Sequence, residues 1–198
     1  MIVMNGDTMS LMIPEHFKIY RIVSIDPGLN NLGVAIFDLD YSTRTIVRIE
    51  AFTLINEKMS DDSGLDEETH SERSIKLVKL RNAIEELMHN IRPCMVACES
   101  PFYSSFRPTA YAALVEVIRV IQLSIMDYNV NIPFYTVEPL LVKKHIGAGM
   151  TKGKIDVKLA VNNRPELMSV LVNDINRLDE HSIDAIAVGY TFLKTSGV

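Results

Sequence analysis

Hydrophobic positions change their period several times along this chain, and each change marks an element. Residues 20–26, 32–38 and 45–52 are runs of apolar and β-branched residues separated by short turns, Pro27-Gly28 the first of them. The pattern predicts three successive antiparallel strands. Residues 56–70 become polar and read as a solvated loop. Thr69 then stands three residues before Glu72, the spacing of a capping box. After it Leu77, Leu80, Ile84, Leu87, Met88 and Ile91 recur at helical intervals until Pro93. A short apolar strand is expected at 94–99, stopped by Pro101, then a helix at 108–128 and a fifth strand at 133–137. Beyond it the period is helical, at 139–146, 152–162, 165–173 and 180–194.

The order βββαβαβ followed by helices predicts an α/β fold of the ribonuclease H-like kind. Its mixed five-stranded sheet has three antiparallel strands, then parallel ones, with helices on both faces. A chain of 198 residues, 47% hydrophobic, can bury one core. Residues 20–198 are therefore expected to form one domain, with 1–19 an N-terminal extension. The start lacks the basic head and cleavage site of a secretory signal, and no apolar run approaches the roughly 18 residues of a membrane span. A cytoplasmic protein without membrane contact is expected. Cys94 and Cys98, four apart on a strand, would lie roughly 13 Å apart, too far for a disulfide. They read as reduced core residues.

Charge changes the picture only when it is resolved along the chain. The net value of −5 argues against nucleic acid. Yet the acids crowd into 57–72, whereas 141–158 holds Lys143, Lys144, Lys152, Lys154 and Lys158 against Asp156 alone. A phosphate backbone responds to the field within about a Debye length, roughly 8–10 Å, so the basic stretch outweighs the total.

Candidate chemistry lies in acids at element ends. Asp26 closes the first strand, Glu99 closes the fourth, and Asp184 sits on the last helix with His181 three residues before it. His181 and Asp184 share a helix face; Glu180, four before Asp184, is the rival position. Carboxylates brought together repel, and a divalent cation relieves that repulsion. Oxygen-rich clusters suit Mg²⁺ or Mn²⁺, and two such ions can clamp a phosphoryl transfer. Each acid also has a plainer reading: Asp26 as a turn residue, Glu99 as a cap on the Pro101 turn, and His181 and Asp184 as a solvated helix edge.

Phe102, Tyr103, Phe106 and Arg107 follow Glu99 at once. Aromatic faces there can stack on unpaired bases, or Phe102 and Phe106 can anchor the loop to the core. The 108–128 helix is apolar nearly all round, which demands cover on both sides. That cover is either a second copy of the chain in a C2 homodimer or the C-terminal helices.

Taken together, Ser24-Ile25-Asp26-Pro27-Gly28 through Gly33-Val34-Ala35, Ala97-Cys98-Glu99-Ser100-Pro101-Phe102, the 146–154 stretch and His181-Ser182-Ile183-Asp184 resemble RuvC-type Holliday junction resolvases. The resemblance runs in order from Arg21 to Leu193. It implies a dimer that nicks four-way DNA symmetrically with divalent metal. It also implies that Asp26, Glu99 and Asp184 match the catalytic carboxylates, Phe102 the wedge, and Lys152 and Lys154 the DNA-facing stretch. Tyr103, Arg107, Lys143 and Lys144 are further DNA-binding candidates. His181 stands where the common bacterial pattern has an acid, which shifts metal preference toward Mn²⁺ and offers a base. Two other functions fit part of the pattern. One is a related nuclease acting on RNA or flaps. The other is an actin-like nucleotide-binding module, since Gly28 and Gly33 let either backbone or phosphate come close; the chain lacks the second hairpin and lobe that module needs.

Overall fold

The structure, a computed structural model, describes residues 2–5, 8–11, 19–60, 64–66, 68–103, 106, 108–148 and 157–197, the first two segments as backbone. Strands β1 (Ile2–Asn5) and β2 (Thr8–Leu11) pair antiparallel as a two-stranded sheet within the segment expected to be an extension. The main sheet contains β3 (Ile19–Asp26), β4 (Asn31–Asp40), β5 (Thr45–Ile55), β6 (Met95–Glu99) and β7 (Phe134–Val137) in the order β5-β4-β3-β6-β7. β3, β4 and β5 pair antiparallel, and β6 and β7 continue the sheet in parallel. This is the predicted mixed sheet.

Strand alternation sorts the core into two layers. Ile22, Ala35, Phe37, Met95 and Ala97 point to one face, covered by α3 (Pro139–Ile146), α4 (Val157–Asn162), α5 (Pro165–Met168) and α6 (Glu180–Thr195). Val23, Ile25, Val34, Val96 and Cys98 point to the other, covered by α1 (Glu72–Ile91) and α2 (Pro108–Tyr128). Asp26 and Glu99 carry the parity of Ile22 and Ala97, so both face the α6 layer. Cys98 is buried, Cys94 half-buried, and both are free.

α6 presses closest to the sheet. A Cβ on Gly33 would collide with the carbonyl of His181, and one on Gly189 would collide with the Phe37 ring and lie 2.6 Å from Ser24 Oγ. Ser24, fully buried, donates its hydroxyl to the Ala185 carbonyl at 2.7 Å, linking helix to sheet. Gly33 thus admits backbone, not phosphate. Gly33→Ala is expected to cost at least about 2 kcal/mol, because a clash with a carbonyl has no rotamer to relieve it. A melting temperature within a degree of wild type would contradict that contact.

Several expectations need correction. The α1 cap is Ser71, whose side chain accepts from Ser74 N–H, and not Thr69. The 165–173 helix ends at Met168. Residues beyond it instead bond the edge strand, Ile49 N–H to Val170 O and Val172 N–H to Ile49 O at 2.8 Å each. An edge strand offers unpaired backbone groups, and these residues take them. The described part of the 152–162 helix is Val157–Asn162.

α2 also departs from expectation. It is long and apolar enough to cross a membrane by length and composition. Its inner face packs Val117, Ile118, Ile121 and Ile125 into the core, and Arg81 of α1 pairs with Asp127 at 3.0 Å. Its outer face leaves Val115, Leu123 and Met126 exposed. The C-terminal helices lie across the sheet and do not cover it, which removes that explanation of its apolar surface.

Candidate active site

Parallel pairing places the first two acids side by side. Ile25 is in register with Cys98, and the next residues along are Asp26 and Glu99. Neighbouring strands run about 4.8 Å apart, so both carboxylates leave the same end of the sheet on the same face. Asp184 arrives from α6, which is held there by its own cap. Asp179 accepts from Ser182 N–H at 2.9 Å and from the Thr53 hydroxyl of β5 at 2.6 Å, tying the helix start to the sheet edge.

Asp26, Glu99 and Asp184 line one cavity of about 340 Å³ together with Lys143. Burial pushes the Glu99 carboxyl up to about 7, with Asp26 and Asp184 adding and Lys143 opposing. Burial likewise pushes Asp184 up to about 6, Asp26 adding and His181 and Lys143 opposing. Asp26 is also raised, chiefly by burial, against a hydrogen bond from His181. Burial leads in all three; repulsion adds to it, from Asp26 and Asp184 at Glu99, from Asp26 and Glu180 at Asp184, and from Glu180 and Asp179 at Asp26. The readings of Asp26 as a plain turn residue and Asp184 as a solvated helix edge do not describe this arrangement.

His181 lies beside Asp26 and is not among the cavity's lining residues. A carboxylate only accepts, so Nδ1–H donates to Asp26 Oδ2 at 3.0 Å; Nε2 then accepts from the Asn31 amide at 3.5 Å. Glu180 stands 3.8 Å from His181 Nε2 with its side chain 85% exposed, and its charge adds to the upward shift of Asp26 and Asp184. Among the described residues no three His, Cys, Asp or Glu side chains already form a group that could hold a metal ion. The donor chemistry nevertheless fits a hard divalent cation, being oxygen-rich, buried and short of counter-charge.

The aromatic loop opens outward. Phe102 lines the cavity and is 60% exposed; Tyr103, equally exposed, meets the Tyr111 ring edge-on at 5.4 Å; Phe106 is almost wholly exposed. Phe102 and Phe106 are not core anchors. Lys144 is exposed on α3. Lys158 donates to the carbonyls of Asn176 and Leu178, so it secures the α6 approach as well as presenting a charge. Arg107, Lys152 and Lys154 lie outside the described residues. Sequence reasoning missed Asn31, Thr53 and Ser24. Of these only Ser24, a hydroxyl inside an apolar strand, left a signal.

No family model matches the chain. It is 25% identical over 177 residues to a crossover junction endodeoxyribonuclease RuvC of Prochlorococcus marinus (strain MIT 9312), covering 89% of this chain and 98% of that protein. Among solved structures, Thermus thermophilus RuvC in complex with Holliday junction substrate superposes with a TM-score of 0.63 at 16% identity, over 90% of this chain and 96% of that one. The fold is that of RuvC. The yeast mitochondrial Holliday junction resolvase Ydc2 shares it too, with a TM-score of 0.63 at 10% identity over 90% of this chain and 81% of that one. The resemblance seen in the ordered motifs therefore extends over nearly the whole chain, and RuvC is similar to it in length as well as fold.

Proposed function

We propose that this chain is a divalent-metal-dependent, structure-selective endonuclease that resolves Holliday junctions and other branched DNA inside the cell. It acts as a homodimer making paired nicks. The observation that carries the proposal is the convergence of Asp26, Glu99 and Asp184 on one cavity within a RuvC fold, beside a lysine. Residues 20–198 form the nuclease domain, and 1–19 extend from it.

Asp26, Glu99 and Asp184 would hold the metal, Mg²⁺ or Mn²⁺, while His181, engaged by Asp26 and Asn31, positions Asp26 instead of ligating. Two ions, when bound, would neutralise the carboxylates, acidify water and stabilise the leaving oxygen. His181, by donating to Asp26, fixes which carboxylate oxygen faces the cavity. Lys143 balances negative charge there and draws a phosphate toward the acids. Phe102 and Tyr103, exposed at the rim, stack on bases at an opened crossover. Lys144, Lys152, Lys154 and Arg107 contact the DNA backbone.

The decisive experiment incubates the protein with an immobile four-way junction, a flap and an RNA–DNA hybrid, each with Mg²⁺ or Mn²⁺. Paired nicks in the junction are expected. Cutting confined to the flap or hybrid would replace this reading with that of a related nuclease.

The dimer rests on the uncovered outer stripe of α2, because apolar groups left in water gain from mutual burial. Ile118 is a poor probe, being buried within the protomer. Leu123, 46% exposed, is a better one. Leu123→Glu is expected to weaken self-association at least about tenfold with little change in folding. A variant that still sediments as a dimer would exclude this face.

A further inference from the structure

Two helices bring opposite charges to the cavity: α6 carries Asp184 and α3 carries Lys143. α3 is only eight residues long, too short to be stable by itself, so its neighbours must hold it. Val142 and Ile146 are buried in the α6 layer, but apolar packing is non-directional. It keeps α3 near α6 without fixing where along α6 it rests. A slide of one residue, about 1.5 Å, would shift the Lys143 ammonium relative to the acids.

Arg164 supplies the direction. It stands between α4 and α5, where its carbonyl accepts from the Leu167 and Met168 N–H groups at 3.0 Å each, so its backbone is fixed. Its guanidinium reaches the end of α3, Nη2 donating to the His145 carbonyl at 2.9 Å and Nε to that of Ile146 at 3.3 Å. A helix leaves such last-turn carbonyls without partners of its own. The same guanidinium lies 5.4 Å from the centre of the Tyr190 ring on α6, and Tyr190 donates its hydroxyl to Glu166 at 2.8 Å. One planar cation thus bonds the helix of Lys143 and rests against the helix of Asp184. Arg164 itself is not among the cavity's lining residues.

We propose that Arg164 is a positioning residue for cleavage: by clamping the end of α3 to Tyr190, it sets the reach of Lys143 toward the phosphate beside the acids. The proposal rests on the nuclease reading above and deepens it by naming what holds the site's cation in place. An ordinary helix cap would affect stability alone; this one caps the helix that carries the lysine. A lysine at 164 could not replace it, since a point charge does not serve two carbonyls and a ring face at once.

Arg164→Gln shortens the side chain and removes the fork. Hydrogen exchange, which needs no substrate, is expected to speed at least about tenfold across residues 142–147, with β3 unchanged. In single-turnover cutting of a four-way junction at saturating protein, the variant is expected to be about tenfold slower, the scale of a small misplacement, with its apparent Kd for the junction within about twofold of wild type. Lys143→Ala is expected to be slowed at least as much. The double variant is expected to be no slower than Lys143→Ala alone, because a residue that acts through Lys143 then has nothing left to position. Arg164→Lys is expected to lose about threefold, and it carries the same cycle should Arg164→Gln fail to fold.

Losses that multiply in the double variant would show that Arg164 does not act through Lys143, and the proposal would be wrong while the nuclease reading stands. Unchanged exchange at 142–147, or an Arg164→Gln protein that cuts like wild type, would overturn it too. If the wild-type chain cuts no branched DNA with either metal, the nuclease reading falls, and the role of Arg164 in cleavage falls with it whatever exchange shows.

Discussion

Asp26→Asn is expected to slow junction cutting by at least about a thousandfold, equivalent to roughly 4 kcal/mol of lost transition-state stabilisation. Junction binding should stay within about twofold, because the lysines, the aromatic loop and the dimer surface are untouched. Asparagine keeps the shape and still accepts the His181 N–H. What it removes is a negative charge from the place where two strands and α6 bring acids together. Single-turnover kinetics on a four-way junction, with a parallel mobility-shift assay, check both halves. Robust cutting by this variant would remove Asp26 from the metal set. Loss of binding along with cutting would show that the substitution acts on the fold.

The second large effect is on stability. Glu99 sits at about 7 in the folded protein against an ordinary 4.5, and Asp184 at about 6 against 3.8. Below both ordinary values each group is protonated whether the chain is folded or not, and neither contributes. As pH rises from about 4 to about 7 the unfolded chain releases these protons while the folded chain retains them. Folding then takes up protons, so stability falls through that window and the loss is complete above it. The metal-free protein is thus expected to melt several degrees lower near pH 8 than near pH 5.

Glu99→Gln removes the main source of that penalty. It is expected to raise the melting temperature near pH 8 by about 5 °C, from roughly 2 kcal/mol, and to change it little near pH 4. The figure is discounted from the full shift because the side chain opens onto the cavity. Mn²⁺ or Mg²⁺ should stabilise wild type near pH 8 by binding the ionised carboxylates, and should stabilise Glu99→Gln less. Thermal melts across pH with and without metal check this. A melting curve flat in pH would mean that the acids are not forced together, and the proposed site would lose its electrostatic basis.

Strands were legible because their period of two survives burial on both faces, and α2 and α3 begin and end where Pro108, Pro139 and Gly147 say they should. The cap of α1 was misassigned because Thr69 and Ser71 both offer a hydroxyl near Glu72, and only the backbone decides which one meets an orphan N–H. The stretch after Met168 was read as helix because its apolar residues fit either period; it was drawn out to complete the edge of β5. The acids stood out because a carboxylate ending an apolar run is costly without a partner. Their supports did not, since Thr53, Asn31 and Gly33 have many ordinary roles on a strand.

By itself, the order of residues determined the sheet, its two-faced core and the elements that end in Asp26 and Glu99, because local periodicity and turn chemistry suffice for those. It also set the sign of charge along the chain. Only the tertiary structure decided that α6 lies against Gly33, that His181 turns to Asp26, and that Leu114, Leu140 and Val157 line the same cavity as the acids. Those outcomes depend on contacts between residues far apart in the chain. Such contacts exist only once a glycine lets two backbones touch and a capped helix is fixed to the edge of the sheet.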